Sequence, residues 1–231
     1  ELDWALAQAT GGLMNDDFLV FLAGAKALRD RLILPLQEVL GFFGALQTRD
    51  VTSHLADPDS IVPSTYSTVF RNPTMLASWG SVFVDAASLS GSPIIVPADP
   101  PPTSAQIANL SAIKAALGLS ANDVAAMLAA TGAANALTLD TLNTLLRYSH
   151  LASALSLTPT DLLLWIVLAD VQPFGTTPAD TSEFLRRLAL LQGSGIALHD
   201  LDYLLRNGSA PQSARAFTGA QATTVLQTIR D

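Results

Sequence analysis

The sequence predicts an all-α fold made mainly of stacked helix pairs, and three observations support this. One short motif begins at Leu117 and returns at Leu155 and again at Ser194. Each copy lies between two apolar patterns with helical spacing. Each copy also carries residues typical of a helix junction. The repeat length of about 38–39 residues is typical of two-helix units that stack into a continuous core and an extended surface, and such units need no catalytic pocket.

The second helix of each pair is predicted from its cap residues. Ser120 and Thr158 lie where an N-cap side chain accepts a backbone N–H, and a carboxylate follows three positions later, at Asp123 and Asp161. The positive end of a helix favours that carboxylate, which can also accept the cap residue's own N–H. Pro159 occupies the first helical position, where its missing N–H removes no hydrogen bond. Each copy is therefore interpreted as helix, short turn and capped helix.

The turn before each cap has residues typical of a helix exit. Gly118 and Gly195 can adopt a positive φ without strain, which suits the residue that ends a helix. In the third copy Ala197 replaces the cap hydroxyl, and Gly193 adds a second glycine to the turn. We therefore expect this junction to be the least rigid of the series.

Apolar residues at matched positions predict the core. A pair of them follows each cap, and a fourth copy of the pattern lies further upstream, where Leu34-Pro35 marks the turn. We expect these pairs to anchor the stack, because side chains at equivalent positions of stacked repeats share one core. The pairs are Phe42 and Phe43, Met127 and Leu128, Trp165 and Ile166, and Leu204 and Leu205.

The chain divides into three parts by composition. Residues 1–50 are predicted to form N-terminal helices, which include the upstream copy and begin anew at the cap Asn15-Asp16-Asp17. Residues 51–103 are rich in Pro, Ser, Thr and Gly and are predicted to be an irregular insert, with one short helix over 64–70. Within the insert, 82–84 and 94–96 could pair as a small β-hairpin. Residues 104–231 contain the other three helix pairs, which we expect to pack with 1–50 as one lobe.

Composition excludes several functions. A net charge of −8 with only 12 scattered basic residues argues against a nucleic-acid partner. The absence of Cys excludes thiol nucleophiles and thiolate metal sites. The charged fraction of 14% is low against about 25% in ordinary domains, yet the longest strongly apolar run, Leu162 to Ala169, is far shorter than the ~20 residues that span a bilayer. We therefore expect a module excised from a larger protein and covered there by other domains or subunits.

The sequence offers no credible catalytic, cofactor-binding or metal-binding residues, and we predict that the protein is not an enzyme. His54, His150 and His199 are far apart, and none has a possible ligand four positions later. Gly193-Ser194-Gly195 lacks the third glycine and the preceding strand of a phosphate-binding loop. No Glu follows Asp57-Pro58-Asp59 at the spacing of a calcium-binding EF-hand loop. Ser, His and Asp are present, but no Gly-x-Ser-x-Gly motif supports a hydrolase.

Several segments resemble one family of toxins. The run Pro63-Ser64-Thr65-Tyr66-Ser67-Thr68-Val69-Phe70-Arg71-Asn72-Pro73 resembles a signature of the A components of Tc (toxin complex) insecticidal toxins, in which Ser-x-Tyr precedes Leu-Phe-x-Asn-Pro. The segments 116–120 and 148–158 are similar to that family's leucine- and alanine-rich helix pairs, and 201–206 is similar to its recurring Leu-Asp-Tyr-Leu-Leu ending. The resemblance covers most of residues 18–208.

The resemblance implies a structural role. Members of the family are very large secreted proteins that form a homopentameric, bell-shaped pre-pore, in which a helical shell surrounds a channel for a toxic enzyme held by the B and C components. This chain would be a non-enzymatic part of that shell. Two positions depart from the family pattern, since Val69 replaces a usual Leu and Ala197 replaces a usual Ser or Thr. The alternative interpretation is a helical-repeat adaptor that binds a partner peptide on its concave face.

Overall fold

The computed structural model describes residues 15–52, 61–95 and 103–206, and this part of the chain is mainly helical, as predicted. Its ten α-helices are α1 (Asp16–Leu32), α2 (Leu36–Gly41), α3 (Thr65–Phe70), α4 (Pro73–Trp79), α5 (Ser104–Leu117), α6 (Ala121–Thr131), α7 (Leu139–Ala154), α8 (Pro159–Ala169), α9 (Pro178–Gly193) and α10 (Leu198–Arg206). A short 3-10 turn covers Ala86–Ser88. The strands β1 (Val51–Thr52) and β2 (Ile61–Val62) form one antiparallel pair.

Each helix pair changes direction at one residue with a left-handed backbone. The four hinge residues are Ile33, Gly118, Ser156 and Gly195, with φ angles of 56°, 65°, 54° and 69°. They are separated by the same offsets as the sequence motif. The helix axes turn by 94° between α5 and α6 and by 90° between α7 and α8. The repeat is therefore a repeat of backbone geometry as well as of sequence.

The predicted caps of the second helices are confirmed. The N–H of Asp123 donates to Ser120 Oγ over 3.1 Å, and the N–H of Ser120 donates to Asp123 Oδ2 over 2.9 Å, which completes the reciprocal box. In the next pair the N–H of Asp161 donates to Thr158 Oγ1 over 3.1 Å. Asn15 caps α1 in the same way, accepting the N–H of Phe18. These local bonds explain why the helix starts could be predicted from the sequence.

Ile33 is strained, and replacing it should stabilise the protein. A β-branched residue rarely adopts the left-handed region, which costs an L-residue about 1–2 kcal/mol. The side chain of Ile33 is 90% exposed, so little packing offsets this cost. Glycine adopts this conformation without strain, and its greater loss of backbone entropy on folding costs only about 0.5–1 kcal/mol. We therefore expect Ile33→Gly to raise the urea midpoint. Ile33→Ala is the control, since it retains a Cβ; a Gly variant no more stable than the Ala variant would contradict the prediction.

The apolar pairs are buried in the first two repeats of the C-terminal block but not in the last. Met127 and Leu128 are buried, as are Trp165 and Ile166, which confirms them as core residues. The prediction for the final pair is wrong, because Leu204 and Leu205 are exposed. α8 has α9 and α10 packed against it, whereas α10 is the last helix of the described part of the chain. The final pair therefore has no following helix to cover it within the described residues.

The upstream helix pair packs across the first helices of later pairs. α1 lies against α9. At Gly24 the two helices are so close that an added Cβ would lie only 2.9 Å from Pro178 Cβ. Arg31 Nη2 donates to the carbonyl of Leu185 over 3.2 Å. α2 lies against α7, and the ring of Phe42 meets that of Phe174 at a centroid distance of 5.4 Å. The N-terminal copy thus contacts the third and fourth pairs directly.

The insert contains the predicted helix, here α3, but not the predicted hairpin. Residues 82–84 form a turn and an irregular segment, and Ile94 and Ile95 do not pair with them; Val96 lies outside the described residues. The N–H groups of Ile94 and Ile95 both donate to Asn135 Oδ1, and Asn135 Nδ2 donates to the carbonyl of Ile95. A side-chain amide therefore provides the bonds that a partner strand would provide.

The apolar residues near 82–84 are explained by burial rather than by strand pairing. Phe83 is fully buried, and its ring lies 5.0 Å from that of Phe70 in α3. Tyr66, one turn earlier in α3, donates its hydroxyl to the carbonyl of Val84 over 2.7 Å. An apolar run that packs against helices has the same composition as a short buried strand, so the pattern alone could not separate them.

Candidate functional site

Helix α7 carries a stripe of polar residues on a face directed toward the N-terminal helices. Asn143, Arg147 and His150 are spaced at i, i+4 and i+7, which places them on one side of the helix. They contact α2 and the turn that follows it, and Thr65 at the start of α3 lines the same small space. We call this region the polar junction, and it comprises Gln37, Glu38, Gln47, Thr65, Asn143, Arg147 and His150.

Two residues of the stripe bind the C-terminal end of α2 and the turn that follows it. Arg147 Nε donates to the carbonyl of Gly41 over 2.8 Å, and Arg147 Nη2 donates to the carbonyl of Gly44. Asn143 Nδ2 donates to the same carbonyl of Gly44 over 3.0 Å. The last carbonyls of a helix lack intrahelical partners and carry partial negative charge, so a guanidinium suits them. Burial lowers the pKa of Arg147, but a guanidinium stays charged at neutral pH.

His150 forms an ion pair or a hydrogen bond with Glu38, depending on its protonation. The distance from His150 Nδ1 to Glu38 Oε2 is 3.2 Å. Burial lowers the pKa of His150 below its ordinary value of 6.5, because the loss of hydration outweighs the attraction of the Glu38 carboxylate. The neutral imidazole is therefore the dominant form at pH 7. In that form it can donate one N–H to the carboxylate.

Amide and hydroxyl groups complete the junction on the side of α3. Gln37 Nε2 donates to Gln47 Oε1 over 2.8 Å and to Thr65 Oγ1 over 3.0 Å. The N–H of Ser64 donates to Asp50 Oδ1 over 2.7 Å, and this bond is the main cause of the lowered pKa of Asp50. These contacts tie together α2, the segment 47–50 and the first turn of α3.

A shallow cleft of about 190 Å³ opens beside the junction, bordered by Pro35, Thr68 and His150. A smaller space of about 10 Å³, lined by Gln37, Arg147 and His150 among others, has room for roughly one water molecule. Within the described residues, every buried side-chain nitrogen or oxygen has a hydrogen-bond partner. The groups of the junction are thus engaged with backbone carbonyls and with one another, an arrangement that fixes the relative positions of helices.

The burial of His150 predicts that stability falls on acidification. The unfolded state takes up a proton at the ordinary pKa of 6.5, and the folded state takes it up only at lower pH. The unfolded chain therefore binds more protons below pH 6.5, and the free energy of unfolding decreases as the pH falls through that range. We expect His150→Gln to weaken this dependence between pH 7.5 and 5.5, and Glu38→Gln to steepen it by removing the charge that favours the imidazolium.

Urea titrations at several pH values would measure this effect, with His199→Gln as the control because His199 lies outside the junction. Arg147, one turn before His150, also lines this space. Equal pH dependence in the His150→Gln variant and in the unmodified protein would contradict the prediction.

The structure keeps the sequence-predicted polar residues apart. His150 lies in the junction, His199 lies in α10, and His54 and Asp57-Pro58-Asp59 lie outside the described residues. The part of the chain that is described holds no group of three or more His, Asp and Glu placed to bind a metal ion. Ser149 donates to the carbonyl of Leu117, which ties α7 to the end of α5. The absence of catalytic and cofactor-binding residues stays a prediction.

A second concave region lies on the layer formed by α6, α8 and α10. This groove has a volume of about 310 Å³, and Thr160, Asp161, Val167, Gln172, His199 and Asp202 are among its lining residues. Asp202 accepts from Arg206 Nη1 over 3.2 Å. The groove mixes exposed apolar and polar side chains, as surfaces that bind peptides do.

The polar junction was not predicted from the sequence, although the sequence of α7 contains one indication of it. Asn143, Arg147 and His150 interrupt the apolar pattern of α7 at regular helical spacing, which indicates a polar contact along one face. Their partners could not be read from that pattern, because Arg147 and Gly41 are separated by 106 positions along the chain.

Comparisons of the chain with protein-family models, with curated proteins and with solved structures gave no match. By length and composition, no single helix of the described residues could cross a membrane, while the bent pairs α5–α6 and α7–α8 pass that test only when their two helices are taken together.

Proposed function

We propose that this chain is a non-enzymatic module of the helical shell in a secreted, pore-forming toxin subunit of the Tc A-component kind. The main support is the left-handed hinge that each helix pair contains. The hinge residues are Ile33, Gly118, Ser156 and Gly195, and their spacing along the chain is that of the sequence motif. Helix pairs repeated in this way build an extended wall in which most apolar side chains serve packing. A shell around a translocation channel needs such a wall.

The residues that resemble the toxin signature support this proposal, because they cap and pack. Ser64 accepts the N–H of Ser67 at the start of α3, and Tyr66 anchors that helix to Val84. Asn72 accepts the N–H of Met75, and so caps α4, whose first residue is Pro73. A motif made of caps and anchors maintains shape, which is what a structural module requires.

The proposal includes partners. The chain would contact the other domains of the parent toxin and neighbouring subunits of a homopentamer, whereas the B and C components would bind through other regions. Exposed apolar side chains such as Leu19, Val20 and Leu190 would be covered in those contacts. No nucleic acid, cofactor or metal is part of the proposed function.

The parent gene and the full-length protein test the proposal. We expect a very long open reading frame beside genes for B and C components, and a product that electron microscopy shows as a five-fold bell with this chain in its wall. A short gene without such neighbours, or a full-length product without five-fold symmetry, would overturn it.

The groove on α6, α8 and α10 favours a second candidate, a helical-repeat adaptor. Its occupant would be a peptide whose apolar side chains contact Val167, which is 50% exposed. In that case Val167→Asp would release a partner that co-purifies with the full-length protein, and the assembly of a five-fold shell would not be observed.

A further inference from the structure

The groove on α6, α8 and α10 is also lined by a tyrosine whose hydroxyl has no hydrogen bond within the described part of the chain. This residue, Tyr148 of α7, is 8% exposed, and its ring packs against that of Phe174 at a centroid distance of 4.7 Å. The hydroxyl is not sealed in the core, because every fully buried side-chain nitrogen or oxygen of the described residues has a partner. The polar end of Tyr148 therefore reaches the groove and can bond to a molecule there.

A carboxylate without a partner lies in the same groove. Asp161 lines the groove, and its side chain forms no hydrogen bond or ion pair with any other described residue. Its counterpart one repeat earlier, Asp123, accepts the N–H of Ser120 and the hydroxyl of Thr160. Asp161 thus keeps the place of a helix-start carboxylate but makes neither of these bonds.

The charge and the apolar surface of the groove define the ligand that would fit it. Asp202 is the second carboxylate and accepts one bond from Arg206 Nη1 over 3.2 Å. Neither Lys nor Arg lines the groove in the part of the chain that the structure describes. Its apolar side consists of the half-buried Leu163 and Leu164 and of Val167, which is 50% exposed. A complementary ligand therefore carries a positive charge beside an apolar group.

We propose that this groove binds an arginine side chain of a partner protein, with an apolar neighbour of that arginine over Val167. A guanidinium has five N–H donors in one plane and no acceptor, which suits the acceptors that Tyr148, Asp161 and Asp202 provide. Arginine is also more weakly hydrated than lysine and is enriched at protein interfaces. The groove volume of about 310 Å³ lies within the usual range of ligand pockets.

A second copy of this chain is a poor source of that arginine. Among the described arginines, all except Arg49 already bond to groups of their own chain. A separate partner has no such competing bonds to give up. The inference concerns the groove alone, so it holds for a shell module and for an adaptor and does not depend on the proposed function.

NMR titration of the isotope-labelled full chain with a synthetic peptide tests the proposal. The probe is a short peptide that carries one arginine between two leucines. We expect saturable shifts of the backbone amides of Val167 and Gln172, which line the groove. The same peptide with citrulline in place of arginine should cause no such shifts, because citrulline has nearly the same shape without the charge. A lysine peptide should bind more weakly than the arginine peptide.

Two variants connect binding to the groove. Tyr148→Phe and Asp161→Asn should each weaken binding of the arginine peptide about ten-fold, as expected for the loss of a hydrogen bond to a charged group. Tyr148→Phe should leave the urea midpoint unchanged, since the ring is retained and the hydroxyl has no partner within the described fold. Asp140→Asn is the control, because Asp140 is a first-turn carboxylate of α7 that lies outside the groove.

Three results would overturn the proposal. The first is the absence of a saturable shift with the arginine peptide at millimolar concentration, or equal binding of the citrulline peptide. The second is a large loss of stability in Tyr148→Phe, since the hydroxyl would then be bonded within the chain. The third is self-association that Asp161→Asn abolishes, which would make a second copy the occupant. None of these results bears on the shell proposal, which the symmetry of the full-length protein tests.

Discussion

Replacing Trp165 by Ala should destabilise the protein by about 3–5 kcal/mol, the range for removing a large buried aromatic side chain. Trp165 is 5% exposed, and the helix that carries it, α8, contacts α6, α7, α9 and α10. The cavity would thus open where several helices meet, and none of them could close it without moving away from another. The free energy of unfolding in urea, monitored by circular dichroism, would measure the loss.

Val167→Ala is the matched control for this prediction. Val167 lies two positions further along α8 and is 50% exposed, so its truncation should change stability by less than about 0.5 kcal/mol. A loss below about 1 kcal/mol for Trp165→Ala would mean that the tryptophan is not a core residue and that the repeat register is wrong.

Replacing Arg147 by Ala should cost about 2–3 kcal/mol, because a hydrogen bond from a charged donor contributes about 1.5–3 kcal/mol and the partly buried carbonyl of Gly41 loses this donor. The side chain binds the carbonyls of Gly41, the last residue of α2, and of Gly44 in the turn that follows. Asn143 retains one bond to Gly44, which limits the loss. Arg147→Lys should recover only part of it, since an ammonium lacks the planar fork that reaches both carbonyls.

Arg186→Ala is the control, because Arg186 forms an exposed ion pair with Glu183 on the surface of α9. Its removal should have little effect, as is usual for surface ion pairs. The two nearby arginines hold the pKa of Glu183 at about 2 through hydrogen bonds, first from Arg186 and then from Arg187, but both partners of the Arg186 pair remain in water. If Arg147→Ala and Arg186→Ala lowered the urea midpoint equally, the polar junction would not stabilise the fold.

Arg147→Ala should also change the protonation of His150. Burial is the main cause of the lowered pKa of His150, and Arg147 lines the same small space. Truncating Arg147 should let water reach the imidazole, so the pKa of His150 should rise and the acid-dependent loss of stability should become shallower. Stability and its pH dependence would then report on the same junction through two separate measurements.

The sequence by itself determined the parts of this protein that depend on neighbours within a few positions. The cap at Ser120 with Asp123, the first-turn proline at Pro159 and the left-handed glycines at Gly118 and Gly195 all act over two to four positions. Such bonds form in the same way wherever the helix lies. The helix pairs could therefore be predicted together with their approximate boundaries.

Two of the hinge residues are not glycine, and their conformation could not be predicted from the local sequence. Ile33 and Ser156 adopt the same left-handed backbone as the two glycines, although neither residue favours it. Only their positions in the repeat indicate the conformation. The packing of the flanking helices imposes it, because both helices must keep their apolar faces on the shared core.

Only the tertiary structure decided which surfaces meet. The contact of α1 with α9, the binding of α2 by Arg147 and the pairing of Glu38 with His150 all join residues that are more than a hundred positions apart. The predicted hairpin failed for the same reason, since Asn135 bonds to Ile94 and Ile95 from a distant part of the chain. A sequence pattern specifies which face of an element is apolar or polar. The partner of that face is selected by the free energy of the whole packed chain.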